Sequence, residues 1–250
     1  MNEPVRKPRL VAMLPTYNER ENIADLIDAI LALPLDADVH VVVADDNSPD
    51  GTGRYAEERA AADPRVHALV RTKRRGRGTG GIDGFKAALA LGADFIVEMD
   101  ADFSHAPKFI PNLLAAARDY DLVLGSRFVP GGRDADRGLH RRFITLCVGA
   151  FIRRLYRLPV RDVSSGFRLF RREVLEALDL DDLISVGQSV VLEILRKTSL
   201  LGFRIGEVPI VFVDRTRGKT KLDFFALLET LLMAVKVKKR YPRETVKAVR

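Results

Sequence analysis

What most constrains this chain is an alternation in its first half between short apolar runs and segments of helical period. The runs are Leu10 to Leu14, Val39 to Ala44, Val66 to Val70, Phe95 to Met99 and Leu122 to Leu124. Between them, helical patterns run from about Asn18 to Leu33, from Thr52 to about Ala62, over Ile82 to Leu91, and after Pro107. Strands joined by whole helices cannot form hairpins, so they build a parallel sheet with helices on its faces. The run from Val39 to Ala44 is nearly all β-branched, as in a strand covered on both sides. Asn18 with Glu21 three residues on reads as a capping box opening the first helix. From Val129 onward the sequence turns basic and helix-rich, with one clear later strand at Arg204 to Val213 and a final helix from about Leu222 to Lys239. No Pro/Ser-rich linker and no repeat by eye divides the halves. The expected fold class is α/β, a single domain with a mostly parallel central sheet.

At 250 residues the chain is long enough to bury a core without staples. It has one cysteine, Cys147, which excludes a disulfide framework and any multi-thiolate metal site and points to a reducing compartment. Cys147 falls in an expected helix and reads as buried. His67, His105 and His140 are too scattered for a histidine metal site. The net charge is +7, yet from Arg215 to Arg250 there are 11 basic and 3 acidic residues, leaving the rest of the chain near neutral. Such a tail suits a solvated face, a nucleic-acid patch or an anionic membrane, and charge alone does not choose. It lacks an aromatic stacking platform for nucleic acid, so nucleic acid is not an expected partner. The N-terminus has no apolar secretory signal. The most apolar stretch, Phe224 to Val235, is too short to span a bilayer and holds Glu229 and Thr230.

Ligands of open parallel sheets lie beyond the carboxyl ends of the strands. Three loops there are unusually polar: PTYNER after the first strand, DDNSPDGT after the second and DADFSH after the fourth. The first lacks the glycine fingerprint of a dinucleotide site, and the later GRGTGG is in the wrong place for one, so NAD is not expected. Neither is a Walker A lysine present. Asp100 and Asp102 flank one small residue at the end of a strand, and both carboxylates can converge on one hard divalent cation beside a diphosphate. Alone, such a tripeptide is more often a helix cap with a solvated neighbour. Asp45 and Asp46 are ordinary turn formers, or carboxylates for a ribose or base.

In order along the chain, PTYNERENI, VVVADDNSPDGTG, RTKRRGRGTGGIDGF, EMDADFSHAP, LGSRFVPGG, DVSSGFRLFRREVLE and EVPIVFVDRTRGKTKL resemble the dolichol/polyprenol-phosphate mannose synthases. The resemblance spans roughly Val11 to Leu222. It implies the GT-A fold of nucleotide-diphospho-sugar transferases in glycosyltransferase family 2. The implied layout is a nucleotide-sugar half over 9–128, an acceptor half over 129–221 and a basic amphipathic helix and tail over 222–250. Pro15, Tyr17 and Glu19 match the first nucleotide-contacting loop, and Asp45 or Asp46 the base- or ribose-contacting carboxylate. Asp100, Ala101 and Asp102 match the metal and donor-diphosphate motif. Ser104 stands where some relatives have glutamine. Arg215 and Lys221 match cations that close over the donor phosphates. Arg127 and Arg141 match arginines holding the acceptor phosphate, with Thr145 a neighbouring hydroxyl. Arg142 adjoins Arg141 and is not separated from it by the motif.

The implied reaction is inverting transfer of mannose from GDP-mannose to a polyprenyl or dolichyl monophosphate, assisted by Mg2+ or Mn2+. A lipid monophosphate is largely dianionic at neutral pH, so no general base is required. The competing expectations are a UDP-glucose or UDP-GlcNAc donor on the same fold, and a non-catalytic nucleotide-sugar module. The implied location is cytoplasmic, peripheral on the cytoplasmic face of a membrane, directly or through a membrane-embedded partner. The apolar side of the final helix is expected to pack on the domain, with its basic end toward lipid.

Overall fold

The computed structural model describes residues 6–73, 76–135, 139–213 and 224–242, with the side chains of 139–141 and 224–226 left aside. The elements in chain order are β1 (Arg9–Thr16), α1 (Arg20–Leu31), β2 (Asp38–Asp45), α2 (Thr52–Ala62), β3 (Val66–Val70), α3 (Arg77–Ala90) and β4 (Phe95–Glu98). A 3-10 turn (Pro107–Phe109) leads into α4 (Ile110–Ala116), β5 (Leu122–Ser126), β6 (Arg133–Asp134) and α5 (Leu139–Tyr156). Then come β7 (Arg168–Arg171), α6 (Arg172–Ala177), α7 (Val190–Leu200), β8 (Ile205–Pro209), β9 (Val211–Phe212) and α8 (Phe224–Arg240).

Seven strands form one sheet in the order β3-β2-β1-β4-β7-β5-β8. All neighbours are parallel except β7, which runs antiparallel to both β4 and β5. The chain moves outward from β1 to β3, then crosses back to β4 on the other side of β1. The crevice at the carboxyl ends of β1 and β4 is therefore the topological switch point, where ligands of such sheets sit.

Alternation along each strand feeds two cores. Leu10, Ala12 and Leu14 point to one face with Val41 and Val43, and Val11 and Met13 point to the other with Val42. On the first face α1 buries Ile23, Leu26, Ile27 and Ile30 completely, at the 3-4-7 spacing of a helical stripe. Each such side chain contributes roughly 1.5–3 kcal/mol. On the second face α3 lies close to β1: a Cβ on Gly84 would meet the Met13 side chain at 2.7 Å.

Several expectations change. The capping box at Asn18 is absent. Asn18 takes a left-handed φ of 59°, and Glu19 stands at the cap position without a side-chain cap bond. The start of α1 is instead held from outside, by Ser48 Oγ, Thr52 Oγ1 and Asp50 Oδ2, each 3.0 Å from the amides of Asn18, Glu19 and Arg20 in turn. The glycine-rich GRGTGG is not a loop but the opening of α3, which begins five residues before the expected Ile82. The late strand breaks at Ile210 into β8, in the main sheet, and β9, paired with β6. The antiparallel β7 was not expected at all. Cys147 is exposed on α5, contrary to its buried reading, because the helix turns that face outward.

Candidate active site

A cavity of about 540 Å3 opens at the switch point. The β1 end supplies Pro15, Tyr17 and Glu19; the β2 end supplies Asp46; the loop after β4 supplies Asp100, Ala101, Asp102 and Ser104. Arg127, beyond β5, and Thr145 on α5 complete the sequence-expected residues on its wall. Arg215, Lys221 and the side chain of Arg141 lie outside the described residues; the backbone of Arg141 belongs to α5.

The two aspartates at the end of β2 separate cleanly. Asp45 is fully buried away from the cavity, and its carboxylate accepts hydrogen bonds from Thr16 Oγ1 (2.9 Å), Ser48 N (2.8 Å) and Ser48 Oγ (2.6 Å). It ties the first two polar loops together. Asp46 faces the cavity and is held by Arg71 and by the amide of Gly76 at 2.7 Å. Arg71 in turn binds Asp83 at 2.8 Å, which fixes the acid between β2 and α3.

Beyond β4, one oxygen of Asp102 accepts from Ser104 N at 3.0 Å and Ser104 Oγ at 2.6 Å, which orients the carboxylate. Asp100 receives the guanidinium of Arg77, Nη2 lying 2.5 Å from Oδ1. The Asp100 amide donates to His105 Nδ1 at 3.3 Å, which ties the imidazole to the start of the loop. His105 is buried against the ring of Phe167 at 5.3 Å. Burial pushes its imidazole below the usual range, although Asp100 and Asp102 pull the other way. The donor set offered to a metal is thus two carboxylates with oxygen only, suited to a hard divalent cation, and Asp100 already accepts a cationic group. Among the described residues no cluster of three His, Cys, Asp or Glu could hold a metal alone. Further ligands would have to come from the substrate, as a diphosphate can provide.

Arg127 is 7% exposed and is clamped by Asp162, Nε to Oδ2 and Nη2 to Oδ1 both at 2.8 Å, with its own amide 3.1 Å from Oδ2. Ser164 Oγ accepts a further bond from Nη2 at 2.8 Å. Burial opposes both charges, but their mutual hydrogen bonds outweigh it, raising the arginine pKa and lowering that of Asp162. A fork held this way presents its charge with little freedom left to lose on binding an anion. Arg77, His105, Asp162 and Arg71 were not singled out as site residues in the sequence. The signals existed, since Arg77 lies in GRGTGG and Asp162 in DVSSGFR, but only the fold brings them to Asp100 and Arg127.

The far wall is apolar, with Ile144, Val148 and Ile152 of α5 and Leu227 of α8. The two helices pack on one another. Outside the cavity α5 exposes Phe143 (66%), Leu146 and Phe151, and α8 exposes Leu228, Leu232 (64%) and Val235. The core packing expected for the apolar face of α8 is not found at Leu228, Leu232 and Val235, which face outward; the helix is buried instead on the opposite side, at Ala234 and Val237. No helix among the described residues is long and apolar enough to cross a membrane.

Residues 12–179 match the family described as Glycosyl transferase family 2. The undecaprenyl-phosphate mannosyltransferase of Micrococcus luteus is 42% identical over 86% of this chain and 88% of its own length. The polyprenol monophosphomannose synthase of Mycolicibacterium smegmatis is 40% identical over 86% of this chain and 81% of its own. Among solved structures, a mannosyltransferase from Pyrobaculum calidifontis in complex with GDP-Man and Mn2+ shares the fold at a TM-score of 0.60 and 22% identity, over 98% of this chain and 67% of that one. The glucosyl-3-phosphoglycerate synthase of Mycobacterium tuberculosis, with Mn2+, UDP and phosphoglyceric acid, does so at 0.66 and 23%, over 91% and 78%. The fold is the GT-A fold, as the sequence resemblance implied. With its family model and its relatives in agreement, the chain is a glycosyltransferase that belongs to glycosyl transferase family 2, among the polyprenol-phosphate mannosyltransferases.

Proposed function

We propose that this enzyme transfers mannose from GDP-mannose to a polyprenyl monophosphate, releasing GDP and forming a β-mannosyl phosphate lipid. The observation that carries this reading is one cavity with two anion-handling ends. The carboxylate pair Asp100 and Asp102 stands on one side, and the clamped Arg127 on the other, beside the apolar wall of α5 and α8. The donor is held mainly by residues of 9–128, and the acceptor phosphate by Arg127 at the end of that half together with residues of 129–221, of which Arg215 and Lys221 return to the donor. Pro15, Tyr17, Glu19 and Asp46 surround the nucleoside, while Asp45 serves by fixing the two loops that carry them.

Arg127, with Arg141 or Arg142 and Thr145 on α5, orients the acceptor phosphate so that its oxygen attacks the sugar C1 in line with the departing diphosphate. One displacement inverts the anomeric centre. The phosphate oxygen carries no proton to remove, so none of the cavity carboxylates needs to act as a base. Asp100 and Asp102 would hold a divalent cation, Mg2+ or Mn2+, which supplies charge neutralisation for the leaving GDP. Arg215 and Lys221 are assigned to the same phosphates.

The lipid tail leaves along the α5–α8 wall. The exposed apolar residues there, with Lys236, Lys238 and Lys239 exposed at the basic end of α8, support peripheral contact with the cytoplasmic face of an anionic membrane.

The test is transfer of label from GDP-mannose, with UDP-glucose and UDP-GlcNAc in parallel, into the lipid phase of a detergent reaction containing polyprenyl monophosphate. Label from GDP-mannose alone, dependent on divalent metal, is the expected result. Label from a UDP-sugar overturns the donor assignment, and label from none overturns the proposal. Flotation with anionic but not neutral vesicles is expected; equal flotation would refute the role given to the lysines.

A further inference from the structure

Arg77 sits where a cation is not obviously wanted. It is the first residue of α3, lines the cavity, and places Nη2 2.5 Å from Oδ1 of Asp100, one of the two proposed metal ligands. The approach is permitted by a bare backbone opposite: a Cβ on Gly166 would stand 2.8 Å from the same Nη2. The pairing of Arg77 with Asp100 leaves the two carboxylates and the guanidinium with one net negative charge instead of two.

We propose that Arg77 is a resident cation of the donor-diphosphate site, holding Asp100 until nucleotide and metal arrive together. The proposal rests on the reading of Asp100 and Asp102 as the metal pair. A divalent cation entering alone meets half the carboxylate charge and has to share Asp100 with a guanidinium. A diphosphate changes both terms. It brings negative charge to the metal, and it offers the guanidinium a bidentate partner in the same cavity. Metal binding is thereby made conditional on the nucleotide, and the nucleotide keeps an affinity of its own without metal.

Mn2+ binding to the full chain, followed by electron paramagnetic resonance, tests this without reference to turnover. The parent is expected to bind free Mn2+ weakly and to tighten when GDP is added. Arg77→Met should bind free Mn2+ roughly tenfold or more tightly than the parent, since a unit charge close to a divalent ion has been removed. The same variant should bind GDP roughly tenfold more weakly in the presence of a chelator. Arg77→Gln, which is shorter but keeps an N–H donor without the charge, should follow Arg77→Met, and Arg77→Lys should stay near the parent. Unchanged or weaker Mn2+ binding in both neutral variants, or unchanged metal-free GDP binding, overturns the proposal. Asp102→Asn separates the two levels: Mn2+ binding that survives this change in the Arg77→Met background overturns the metal pair itself. Mn2+ binding that is lost with Asp102 but indifferent to Arg77 overturns only the role of Arg77.

Discussion

Replacing Asp162 by alanine should destabilise the protein more than any change at an exposed residue of the cavity. The carboxylate is fully buried and accepts three hydrogen bonds from Arg127. Removing it strands a guanidinium whose side chain is 6% exposed. Breaking a buried pair from one side costs about 3–5 kcal/mol. For a chain of this length that corresponds to a fall in Tm of about 6–20 °C. Thermal and urea unfolding at pH 7 would measure it. Replacing both partners with apolar residues of similar size, Arg127→Met with Asp162→Leu, should recover most of the loss while leaving the enzyme without acceptor transfer. The folded pKa of Asp162 lies below its unfolded value, so the contribution is complete above the ordinary carboxylate range. It is lost as pH falls through the lower folded value. The gap between parent and Asp162→Asn should therefore stay constant from pH 7 to about 5 and narrow only in stronger acid. An Asp162→Ala protein that unfolds within about 1 kcal/mol of the parent would refute the reasoning, because an unpaired buried arginine cannot be that cheap.

Asp102→Asn should lower label transfer by at least about a hundredfold with little change in Tm, since its loss removes charge from the leaving-group end of the site; near-parental transfer would sink the assignment. Ile27→Ala, at a fully buried position of α1, should cost about 2–5 kcal/mol in urea unfolding at an unchanged slope, and a smaller loss would mean the site collapses. Burial, with His40 and Arg9 nearby, holds the His67 imidazole below its usual range. The unfolded chain therefore takes up that proton first, and stability should fall as pH drops through the ordinary histidine range. His67→Gln should flatten this slope, and parallel pH profiles of the two proteins would contradict it.

The strands of the first half were legible because each is a run of apolar residues with nothing else its pattern could be. β7 was not, because its sequence RLFR sets an arginine at each end of a central strand. Arg168 is fully buried there, its guanidinium donating to the carbonyls of Ser165 at 2.6 Å and Val191 at 2.7 Å, and burial lowers its pKa to about 10. No local pattern announces an arginine whose partners are backbone oxygens, one of them 23 residues along the chain. The GRGTGG segment misled for the opposite reason: its glycines read as a loop, whereas Gly78 lets the first turn of α3 approach the backbone at Val186, whose carbonyl oxygen would stand 2.7 Å from a Cβ there. In the site, the Asp100–Asp102 pair was readable from the end of its strand. The clamp on Arg127 and the contact of Arg77 with Asp100 depend on pairs 35 and 23 residues apart in sequence, which only the tertiary fold decides.

The antiparallel β7 also dictates when the molecule can be finished. During synthesis β4 emerges with one neighbour, β1, and its other edge open, while β5 has no partner until β7 and β8 follow. A nascent chain that has reached Ser126 therefore carries an unpaired strand edge through the middle of its future sheet, a template for joining another chain. Closure waits for Arg168–Arg171, and with it for the segment that brings Asp162 to Arg127. The acceptor end of the cavity and the seam of the sheet are thus completed in the same late step, after the strands that carry the donor residues have already paired.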